Sequence, residues 1–504
     1  MKEYSQSLLT LLPQAGRTLA ALPSDRQVNV TGLVLDSRRV QKGDLFFARD
    51  GVSHRGADFI AEALDRGAVA VMVQQGALRA DERAAVSVPL IEVDDLDRRT
   101  GEVASRFYGN PSQALNVIGI TGTNGKTSCS HYLAQALTAL GHPSALIGTL
   151  GNGMVGALQQ ATHTTPDPIA LQALLAEFRQ QGAEYVVMEV SSHALDQQRV
   201  SGVRFTAAAL TNLTRDHLDY HGDMARYGEA KARLFTDYAP ALQALNLDDA
   251  FGRELLARQA DTGARVLGFS LNRAEADLRV SQLEADLRGF RFLLHTPAGV
   301  QPVSTALLGE FNVSNMLLTA TLLQLLAFSP EQIAGALSRL QPVNGRMACL
   351  PTVAGQPQVV VDYAHTPDAL AQALQALRLH QPGTGQLWCV FGCGGDRDRG
   401  KRPEMGCVAA AGADRLVLTS DNPRHEAPEQ IMRDVMAGIP DRADVHQEAD
   451  RAAAIRWAIT RAAPEDLILI AGKGHESYQE IGGVRTPFND HEQAQRVMKQ
   501  RAEV

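Results

Sequence analysis

The sequence has few cysteines and few aromatic residues, and it lacks a long apolar run. Its 504 residues include five cysteines, and aromatic residues make up 5% of the chain. No two cysteines form a CxxC pair, so we expect small buried thiols in a reducing cytoplasm rather than a disulfide framework. No window holds about 18 uninterrupted apolar residues, which argues against a membrane-spanning helix.

An excess of basic residues is also absent. The 48 lysines and arginines are outnumbered by 56 acidic residues, and the net charge of −8 gives no reason to expect a nucleic-acid or membrane partner. Residues 1–23 lack the apolar core and cleavage site of a signal peptide, and they predict a short amphipathic helix. The composition, with 45% hydrophobic and 21% charged residues, is typical of a globular enzyme. The length predicts roughly two to four domains.

Strand-like apolar runs alternate with helix-like segments, which is the pattern of parallel α/β sheets. The alternation is regular from residue 110 and again after residue 346. Between these series, residues 264–310 are more β-like and precede a predicted helix from Asn315 to Phe328. Pro342 and Gly345 then interrupt the chain. We therefore predict three α/β domains, at residues 1–109, at 110–342 with a P-loop-type parallel sheet, and at 343–504 with a Rossmann-like fold.

The segment GITGTNGKTS, residues 119–128, follows an apolar run and precedes a helical pattern. The backbone N–H groups of such a turn, with the helix N-terminus, can hold phosphate oxygens. Lys126 would reach the β- and γ-phosphates, and the Thr127 hydroxyl would bind Mg²⁺. Ile120 occupies the position of the first glycine in the common form of this motif. The segment predicts a nucleoside triphosphate held by Gly122, Thr123, Asn124, Gly125, Lys126, Thr127 and Ser128.

Three further groups suggest a polar site without defining its reaction. Glu189 ends the apolar run EYVVMEV, where it would hold a metal ion or cap the next helix. Asp216 and His217 follow a second run, in TNLTRDHLDYHG, and Lys231 lies in a helical pattern where a lysine is ordinarily solvated. The N-K-x-D motif of guanine recognition is absent, which argues against a signalling GTPase.

Taken together, the motifs resemble those of the Mur ligase family, and most closely its diaminopimelate-adding branch. The resemblance runs from LDSR at Leu35–Arg38 to Glu476. It is carried, in this order, by GITGTNGKTS, EVSSHAL, TNLTRDHLDYHG, YGEAKARLF, LLGEFNVSN, LQPVNGRM, DYAHTPD, FGCGGDRDRGKRP, DNPRHE and AGKGHE.

The resemblance implies an ATP-dependent amide ligase of cytoplasmic peptidoglycan precursor synthesis, acting as a monomer. ATP would bind between the central and C-terminal domains and phosphorylate the D-Glu γ-carboxylate of UDP-N-acetylmuramoyl-L-alanyl-D-glutamate. The amine of meso-diaminopimelate would then attack the acyl phosphate. Three alternatives stay open: a lysine-adding ligase, a folylpolyglutamate-synthase-like ligase, and a P-loop kinase or motor ATPase, which would lack Lys231 and DNPR. A binding module without activity would have no use for both a metal site and a phosphate lysine.

The resemblance also implies roles for individual residues. Lys126, Lys231 and His217 would be catalytic, and Mg²⁺ would be held by Thr127, Glu189, His217 and Lys231 as a carbamate. ATP would also contact Asn312, Arg346 and His365. The N-terminal UDP-binding domain and its neighbour would hold the UDP-substrate through Leu35, Ser37, Val52, Ser53, His54, His163, Thr164, Thr165, Ser191, Gln197 and Arg199. Diaminopimelate would contact Arg397, Asp421, Asn422, Pro423, Arg424, Gly472 and Glu476.

Overall fold

The fold is taken from a computed structural model, which describes residues 4–12, 28–51, 54–161, 163–286, 289–351, 355–381, 383–441 and 444–502. The chain divides into two compact units, Met1–Phe269 and Ser270–Val504. Both contain parallel sheets covered by helices, so the predicted α/β class is confirmed. The three domain boundaries drawn from the sequence stay a prediction.

The first unit begins with a small parallel sheet. Its four strands pair in chain order, and each is parallel to the next. The sheet is buried on both faces, with Phe46 and Phe47 pointing into separate apolar clusters. Its strands are β3 (Gly32–Val34), β4 (Asp44–Ala48), β5 (Ala70–Gln74) and β6 (Leu90–Val93), preceded by β1 (Gln6–Ser7) and β2 (Asn29–Val30). Its helices are α1 (Leu8–Leu11), α2 (Ile60–Asp65), α3 (Ala80–Ala85) and α4 (Leu96–Phe107).

A larger sheet follows in the same unit, and its strands are arranged β13-β12-β11-β7-β10-β8-β9. All neighbouring pairs are parallel except β8 with β9. The strands are β7 (Asn116–Thr121), β8 (Ser144–Gly148), β9 (Gly151–Met154), β10 (Tyr185–Glu189), β11 (Ala207–Leu210), β12 (Leu242–Asn246) and β13 (Arg265–Ser270). The helices are α5 (Lys126–Ala139), α6 (Pro168–Gln180), α7 (Ser192–Asp196), α8 (Leu218–His221), α9 (Met224–Thr236) and α10 (Ala250–Gln259). Because β7, β10 and β11 are parallel neighbours, the loops after them meet at one edge of the sheet.

The second unit opens with three antiparallel strands and two helices, which agrees with the β-like pattern expected for residues 264–310. These elements are β14 (Leu278–Asp286), β15 (Gly289–Thr296), β16 (Gly299–Thr305), α11 (Glu310–Leu325) and α12 (Pro330–Leu337). Helix α11 starts before the predicted Asn315, because Gly309 takes a positive φ and Glu310 begins the first turn. It ends at Leu325, and Ala327 beyond it is left-handed, so the predicted end at Phe328 is also wrong.

A six-stranded sheet forms the rest of this unit, with the order β17-β18-β22-β19-β20-β21. It is parallel except for β17, and a separate hairpin, β23–β24, follows it. The strands are β17 (Ala348–Cys349), β18 (Gln358–Asp362), β19 (Leu387–Phe391), β20 (Arg415–Leu418), β21 (Val445–Gln447), β22 (Leu467–Ala471), β23 (Tyr478–Ile481) and β24 (Val484–Pro487). The helices are α13 (Pro367–Arg378), α14 (Lys401–Gly412), α15 (Pro428–Met436), α16 (Arg451–Arg461) and α17 (Asp490–Ala502).

The amphipathic helix predicted for residues 1–23 is wrong for the part of that segment that the structure describes. Gln6 and Ser7 pair as a strand with Asn29 and Val30, and the helix is confined to Leu8–Leu11. The Ser7 side chain accepts a hydrogen bond from the Thr10 amide, which is the N-cap contact that starts a helix. Among the described residues, no helix combines the length and apolar character that crossing a bilayer requires.

Candidate active site

The loop between β7 and α5 has a backbone that only glycine can provide at two points. Gly125 precedes the helix in a left-handed conformation, and Gly122 has a φ of 144°. A Cβ on Gly122 would lie 1.8 Å from the Thr211 hydroxyl oxygen. A side chain at Gly122 would therefore be strained and would displace the neighbouring strand end. This glycine-dependent turn lies at the position where the sequence predicts a phosphate loop.

Residues that directly follow β11 form hydrogen bonds with the loop between β7 and α5. The Thr123 amide donates to the Asn212 carbonyl, and the Asn124 amide donates to Asn212 Oδ1, both at 2.9 Å. The Thr211 hydroxyl donates to the Asn124 carbonyl at 2.6 Å. Thr211 and Asn212 were not singled out from the sequence, although they belong to the TNLTRDH motif. Both directly follow β11, which is parallel to β7, and this adjacency is the signal that would have identified them.

Two lysines lie against the same turn. Lys126 Nζ donates to the carbonyls of Gly122 and Thr123 at 2.8 and 2.7 Å. Lys231 Nζ, on α9, also donates to the Gly122 carbonyl at 2.8 Å. Lys126 is half-buried, whereas Lys231 is only 1% exposed and lies 4.4 Å from the ring centroid of Tyr227. Burial, with repulsion from Lys126, lowers the pKa of Lys231 well below its ordinary value. The solvated helical lysine that spacing alone allowed at 231 is therefore excluded.

Glu189 lies beside the first turn of α5. Its carboxylate and the hydroxyls of Thr127 and Thr149 form an oxygen-rich group that we call the Glu189 corner. Its Oε2 accepts from the Thr127 hydroxyl at 2.9 Å and from the Thr149 hydroxyl at 3.1 Å. Its Oε1 accepts from the Thr149 amide at 2.8 Å. Gly148 makes room for the carboxylate, because a Cβ there would lie 2.3 Å from Oε1. The structure thus brings Thr127 and Glu189 together, and it adds Thr149, which no motif in the sequence marks.

His217 lies on the exposed loop after β11 and begins α8 with a φ of 52°. Its Nε2 is 3.3 Å from Asp216 Oδ2, and its ring packs edge-on to those of His193 and Tyr227. Tyr227 therefore contacts both His217 and Lys231. Among the described residues, no three His, Cys, Asp or Glu side chains converge closely enough to hold a metal ion by themselves. The metal ligands expected here also include a hydroxyl and a modified lysine, so this finding does not test them.

The residues expected to contact the muramoyl-peptide surround the Glu189 corner. The Thr165 hydroxyl donates to the Glu189 carbonyl and accepts from the Ser191 amide, while the Thr164 hydroxyl lies 3.1 Å from that of Thr149. Arg199 donates to Gln197 Oε1 and to the Thr165 carbonyl. This set is continuous with the phosphate loop. His163 is exposed, and its role stays a prediction.

The expected uridine contacts lie in the segments that follow β3 and β4 of the small sheet. The Ser37 hydroxyl donates to Glu62 Oε2 at 2.6 Å, and Leu35 packs against an apolar cluster. His54 is exposed, with its ring 6.1 Å from that of Phe59. Val52 and Ser53, which belong to the same prediction, lie outside the described residues. The role of these residues in uridine binding stays a prediction.

Three of the predicted ATP contacts lie in the second unit. Asn312 is buried in the first turn of α11, where its Nδ2 donates to the Leu308 carbonyl. Arg346 lies over the ring of Tyr363, at 5.1 Å from its centroid, and His365 Nδ1 is 2.8 Å from the Tyr363 carbonyl oxygen. Tyr363 thus joins Arg346 and His365 in one group.

The loops after β19, β20 and β22 converge because these strands are neighbours. Asn422 Nδ2 donates to Glu476 Oε2 at 2.8 Å, so the DNPR and AGKGHE motifs are in direct contact. A Cβ on Gly472, whose φ is 119°, would lie 2.5 Å from Asp421 Oδ2. Asp421, Asn422 and Pro423 are buried, whereas Glu476 is half-buried. Four of the predicted acceptor contacts are therefore adjacent: Asp421, Asn422, Gly472 and Glu476.

Arg424 is held by the β23–β24 hairpin. Its backbone is left-handed, with a φ of 52°, and its amide donates to the Glu480 carbonyl while its carbonyl accepts from the Gly482 amide. Its guanidinium donates to the Gly395 carbonyl at 2.7 Å. Arg397, on the same loop as Gly395, is exposed, and within the described residues no hydrogen bond joins it to DNPR. The hairpin was not predicted to have a role at this site.

Comparison with known proteins gives one consistent family. The model described as "Mur ligase family, catalytic domain" matches residues 29–108, "Mur ligase middle domain" matches 120–323, and "Mur ligase, glutamate ligase domain" matches 345–474.

Individual relatives match over nearly the whole chain. The chain is 49% identical over 496 residues to a UDP-N-acetylmuramoyl-L-alanyl-D-glutamate–2,6-diaminopimelate ligase of Chromobacterium violaceum, with 98% of each protein covered. A ligase of the same name from Alkalilimnicola ehrlichii is 51% identical, with 92% of this chain and 93% of the relative covered. A solved structure bearing this name matches with a TM-score of 0.77 and 36% identity, covering 99% of this chain and 100% of that one.

Proposed function

Because the chain belongs to the Mur ligase family, we propose that it joins meso-diaminopimelate to UDP-N-acetylmuramoyl-L-alanyl-D-glutamate, with ATP as the co-substrate. The reaction forms an amide on the D-Glu γ-carboxylate and releases ADP and phosphate. We further propose that it serves peptidoglycan precursor synthesis in the cytoplasm and that the enzyme is a monomer. The domains would follow the boundaries drawn at residues 109 and 342.

The observation that carries the proposal is the contact between DNPR and AGKGHE. It combines an amide, a carboxylate and a nearby guanidinium at the carboxyl edge of one parallel sheet, where α/β proteins bind ligands. A carboxylate suits the ammonium groups of an amino acid, and a guanidinium suits its carboxylates. Diaminopimelate differs from lysine by a second carboxylate, so Arg424 is the group that would distinguish the two.

The phosphate end of the reaction would use the loop between β7 and α5. The backbone amides of this loop and Lys126 would hold the triphosphate and offset its repulsion of the D-Glu carboxylate. Transfer of the γ-phosphoryl group to the carboxylate gives an acyl phosphate, which removes the negative charge that repels a nucleophile and supplies a leaving group. The diaminopimelate amine then attacks the acyl carbon, and phosphate leaves as the amide forms.

The Glu189 corner fits Mg²⁺. Thr127 and Glu189 supply hydroxyl and carboxylate oxygens 2.9 Å apart beside the phosphate loop, and Mg²⁺ is commonly held by one or two carboxylates together with substrate phosphates. The ion would neutralise charge that develops on the transferring phosphoryl group. His217 and Lys231, both in contact with Tyr227, would complete the site.

Lys231 fits a carbamate. Its amine is buried and lies in a cluster that already contains Lys126, so a permanent ammonium there is unfavourable. Reaction of the neutral amine with CO₂ forms an N–C bond and releases one proton, which leaves an anionic oxygen ligand in place of a cation. Oxygen donors of this kind are the ligands that Mg²⁺ prefers.

Phosphate release measured with the UDP-dipeptide substrate, ATP and either diaminopimelate or lysine tests the proposed function. We expect release with diaminopimelate and much less with lysine. Efficient use of lysine alone would identify a lysine-adding ligase, and release that needs no amine would contradict the ligase assignment. Glutamate with a folate substrate in place of the UDP-dipeptide tests the folylpolyglutamate alternative.

A further inference from the structure

Lys473 is a fully buried lysine between two residues of the proposed acceptor site. Its side chain is 0% exposed, and it lies in the loop after β22. Its Nζ donates to Glu476 Oε2 at 2.8 Å and to Asn422 Oδ1 at 3.0 Å. Taking such a charge out of water is costly unless it is paired and fully hydrogen-bonded, so these contacts account for its position.

The contacts determine which way the Asn422 amide points. Asn422 Oδ1 accepts from Lys473 Nζ and from the Glu480 amide, at 3.0 Å in both cases. Both partners are donors only, so the oxygen must face them and the NH₂ group must face Glu476. Without the ammonium group, one of the two contacts that fix this orientation is lost.

The same contacts orient the Glu476 carboxylate. Its Oε2 accepts from both Lys473 and Asn422, at 2.8 Å each. Within the described residues, Oε1 takes part in neither contact, and the side chain retains 19% exposure. One oxygen is therefore anchored and the other is free to meet an ammonium group. The Lys473 charge also stabilises the carboxylate when no such group is present.

We propose that Lys473 is a positioning residue for the acceptor amino acid: it anchors Glu476 and Asn422 so that they present a carboxylate oxygen to an ammonium group of that acceptor. The inference rests on the proposed function, because it takes Glu476 and Asn422 as acceptor contacts. It concerns neither the nucleotide nor the UDP-substrate. Substitution of Lys473 should therefore change mainly the KM for diaminopimelate.

The test compares Lys473→Met with wild type in kcat and in the KM values for all three substrates. Hydrogen bonds to charged groups are worth more than neutral ones, and we expect the KM for diaminopimelate to rise about 10- to 100-fold. The KM values for ATP and the UDP-dipeptide, and kcat at saturating diaminopimelate, should stay within about threefold. Lys499→Met, an exposed lysine on α17, is the matched control and should behave as wild type.

A double-mutant cycle with Glu476→Gln separates positioning from a direct contact. If Lys473 acts through Glu476, adding Lys473→Met to Glu476→Gln should raise the KM for diaminopimelate by less than about threefold. The double variant lacks both charges of this pair, so it remains informative if Lys473→Met alone fails to fold. Multiplicative effects in the cycle, or an equal rise in the KM for ATP, would overturn the proposal. Wild-type turnover with diaminopimelate is measured first, so a failure of the proposed function is seen separately.

Discussion

At the scale of single residues, the two lysines beside the phosphate loop are expected to differ in chemistry. Both donate to the Gly122 carbonyl, but Lys231 is buried and its pKa is lowered, while Lys126 is half-buried at the start of α5. A cation suits the triphosphate, whereas a carbamate suits a metal ion. Substitutions at the two positions should therefore respond differently to added small molecules.

We expect Lys231→Ala to lose most activity and to regain part of it when short carboxylic acids are added, because they replace the missing carbamate oxygens. Lys126→Ala is the matched control: it should lose about 10²- to 10³-fold in kcat and should not respond to carboxylic acids, since it lacks a cation. The measurement is phosphate release against acid concentration, with melting temperature as a check of folding. A fully active Lys231→Ala, or one that is unfolded, would remove the support for a metal-bridging carbamate.

Arg424 should determine the choice between diaminopimelate and lysine. A site built to bond a polar group can reject an analogue that lacks it by about 10⁴- to 10⁵-fold. Removing the guanidinium should reduce kcat/KM for diaminopimelate much more than for lysine, without creating a good lysine-adding enzyme. Arg424→Asn is the preferred variant because asparagine tolerates the left-handed backbone at this position.

The control for this prediction is Arg433→Ala, an exposed arginine on α15, and Arg397→Ala probes the same site from the neighbouring loop. The quantity compared is the ratio of kcat/KM for the two amines. A ratio unchanged by Arg424→Asn would show that the acceptor assignment is wrong, although an ATP-dependent amide ligase would remain.

The motifs and the resemblance to the Mur ligase family mark residues that we propose to contact phosphate or acceptor, but they mark few of the residues that support them. Lys126 lies in a phosphate-loop motif whose chemistry can be predicted from its residues, Glu189 ends an apolar run where a metal ligand or a helix cap was expected, and the role of Asn422 is implied by the resemblance. Thr149, which follows β8, contacts Glu189 and belongs to none of the motifs, whereas Lys473 lies within AGKGHE but was given no role from the sequence. Their roles depend on which strands are neighbours, which is a property of the sheet order.

At the scale of secondary-structure elements, a buried ion pair connects two strand ends to the last helix. Arg451 on α16 and Asp490 at the start of α17 are both 0% exposed in their side chains, with two contacts of 2.7 Å between them. Arg451 also donates to the carbonyls of Ser420 and Ala471, which precede Asp421 and Gly472. The pair therefore holds the segment after β20 and the end of β22, where the proposed acceptor site begins.

We expect Arg451→Met to destabilise the protein by roughly 3–5 kcal/mol, because it leaves Asp490 buried without its partner. Arg451→Met with Asp490→Leu should recover much of this loss, since neither charge is then buried. Thermal unfolding of the three proteins measures the effect, and Arg433→Met is the exposed control. A double variant no more stable than the single one would show that the strand-end carbonyls, not the carboxylate, dominate the cost.

His380, which follows α13, connects this helix to the turn before α11. Its Nδ1 lies 2.8 Å from the Asp286 carbonyl, so it must donate there, and its Nε2 accepts from the Gly309 amide at 2.9 Å. A proton on Nε2 would face the Gly309 N–H, so the neutral ring is the one that fits. Burial lowers the pKa of His380.

The two hydrogen bonds of neutral His380 should make the free energy of unfolding decrease at acidic pH. The unfolded chain has a histidine pKa of about 6.5, above that of folded His380, so the unfolded state binds more protons between the two values. The contribution of neutral His380 to the free energy of unfolding is therefore complete above about pH 6.5, and it is lost as the pH falls towards the pKa of His380 in the folded protein. We expect His380→Gln to have a lower melting temperature than wild type near neutral pH. On acidification its melting temperature should fall by less than that of wild type. Equal pH dependence in both would contradict this, and His491→Gln on α17 is the control.

At the scale of the whole molecule, the alternation of apolar runs and helical segments was sufficient to predict parallel α/β sheets. It could not predict strand order, because pairing between distant strands leaves no local pattern. The N-terminal segment was misjudged for a related reason: Gln6 and Ser7 look helical by spacing but pair with Asn29 and Val30. The three-domain organisation predicted from this alternation and from the break near residue 342 agrees with the three family matches, although the boundaries at 109 and 342 stay predictions.

The phosphate loop and the proposed acceptor site belong to different compact units, residues 1–269 and 270–504. Attack of an amine on an acyl phosphate requires the reacting atoms to be about 3–3.5 Å apart. In the predicted three-domain organisation the triphosphate is held by residues 110–342 and the acceptor by residues 343–504, so we expect ligand binding to favour closure of these two domains, as in enzymes that close around their substrates. We expect the segment Pro342–Gly345 to act as the hinge and the radius of gyration from small-angle scattering to decrease when an ATP analogue and the UDP-substrate are added together. Lys126→Ala, which binds the triphosphate less well, should show a smaller decrease at the same ligand concentrations. A scattering profile of wild type that does not change with both ligands bound would mean that the reaction proceeds without closure.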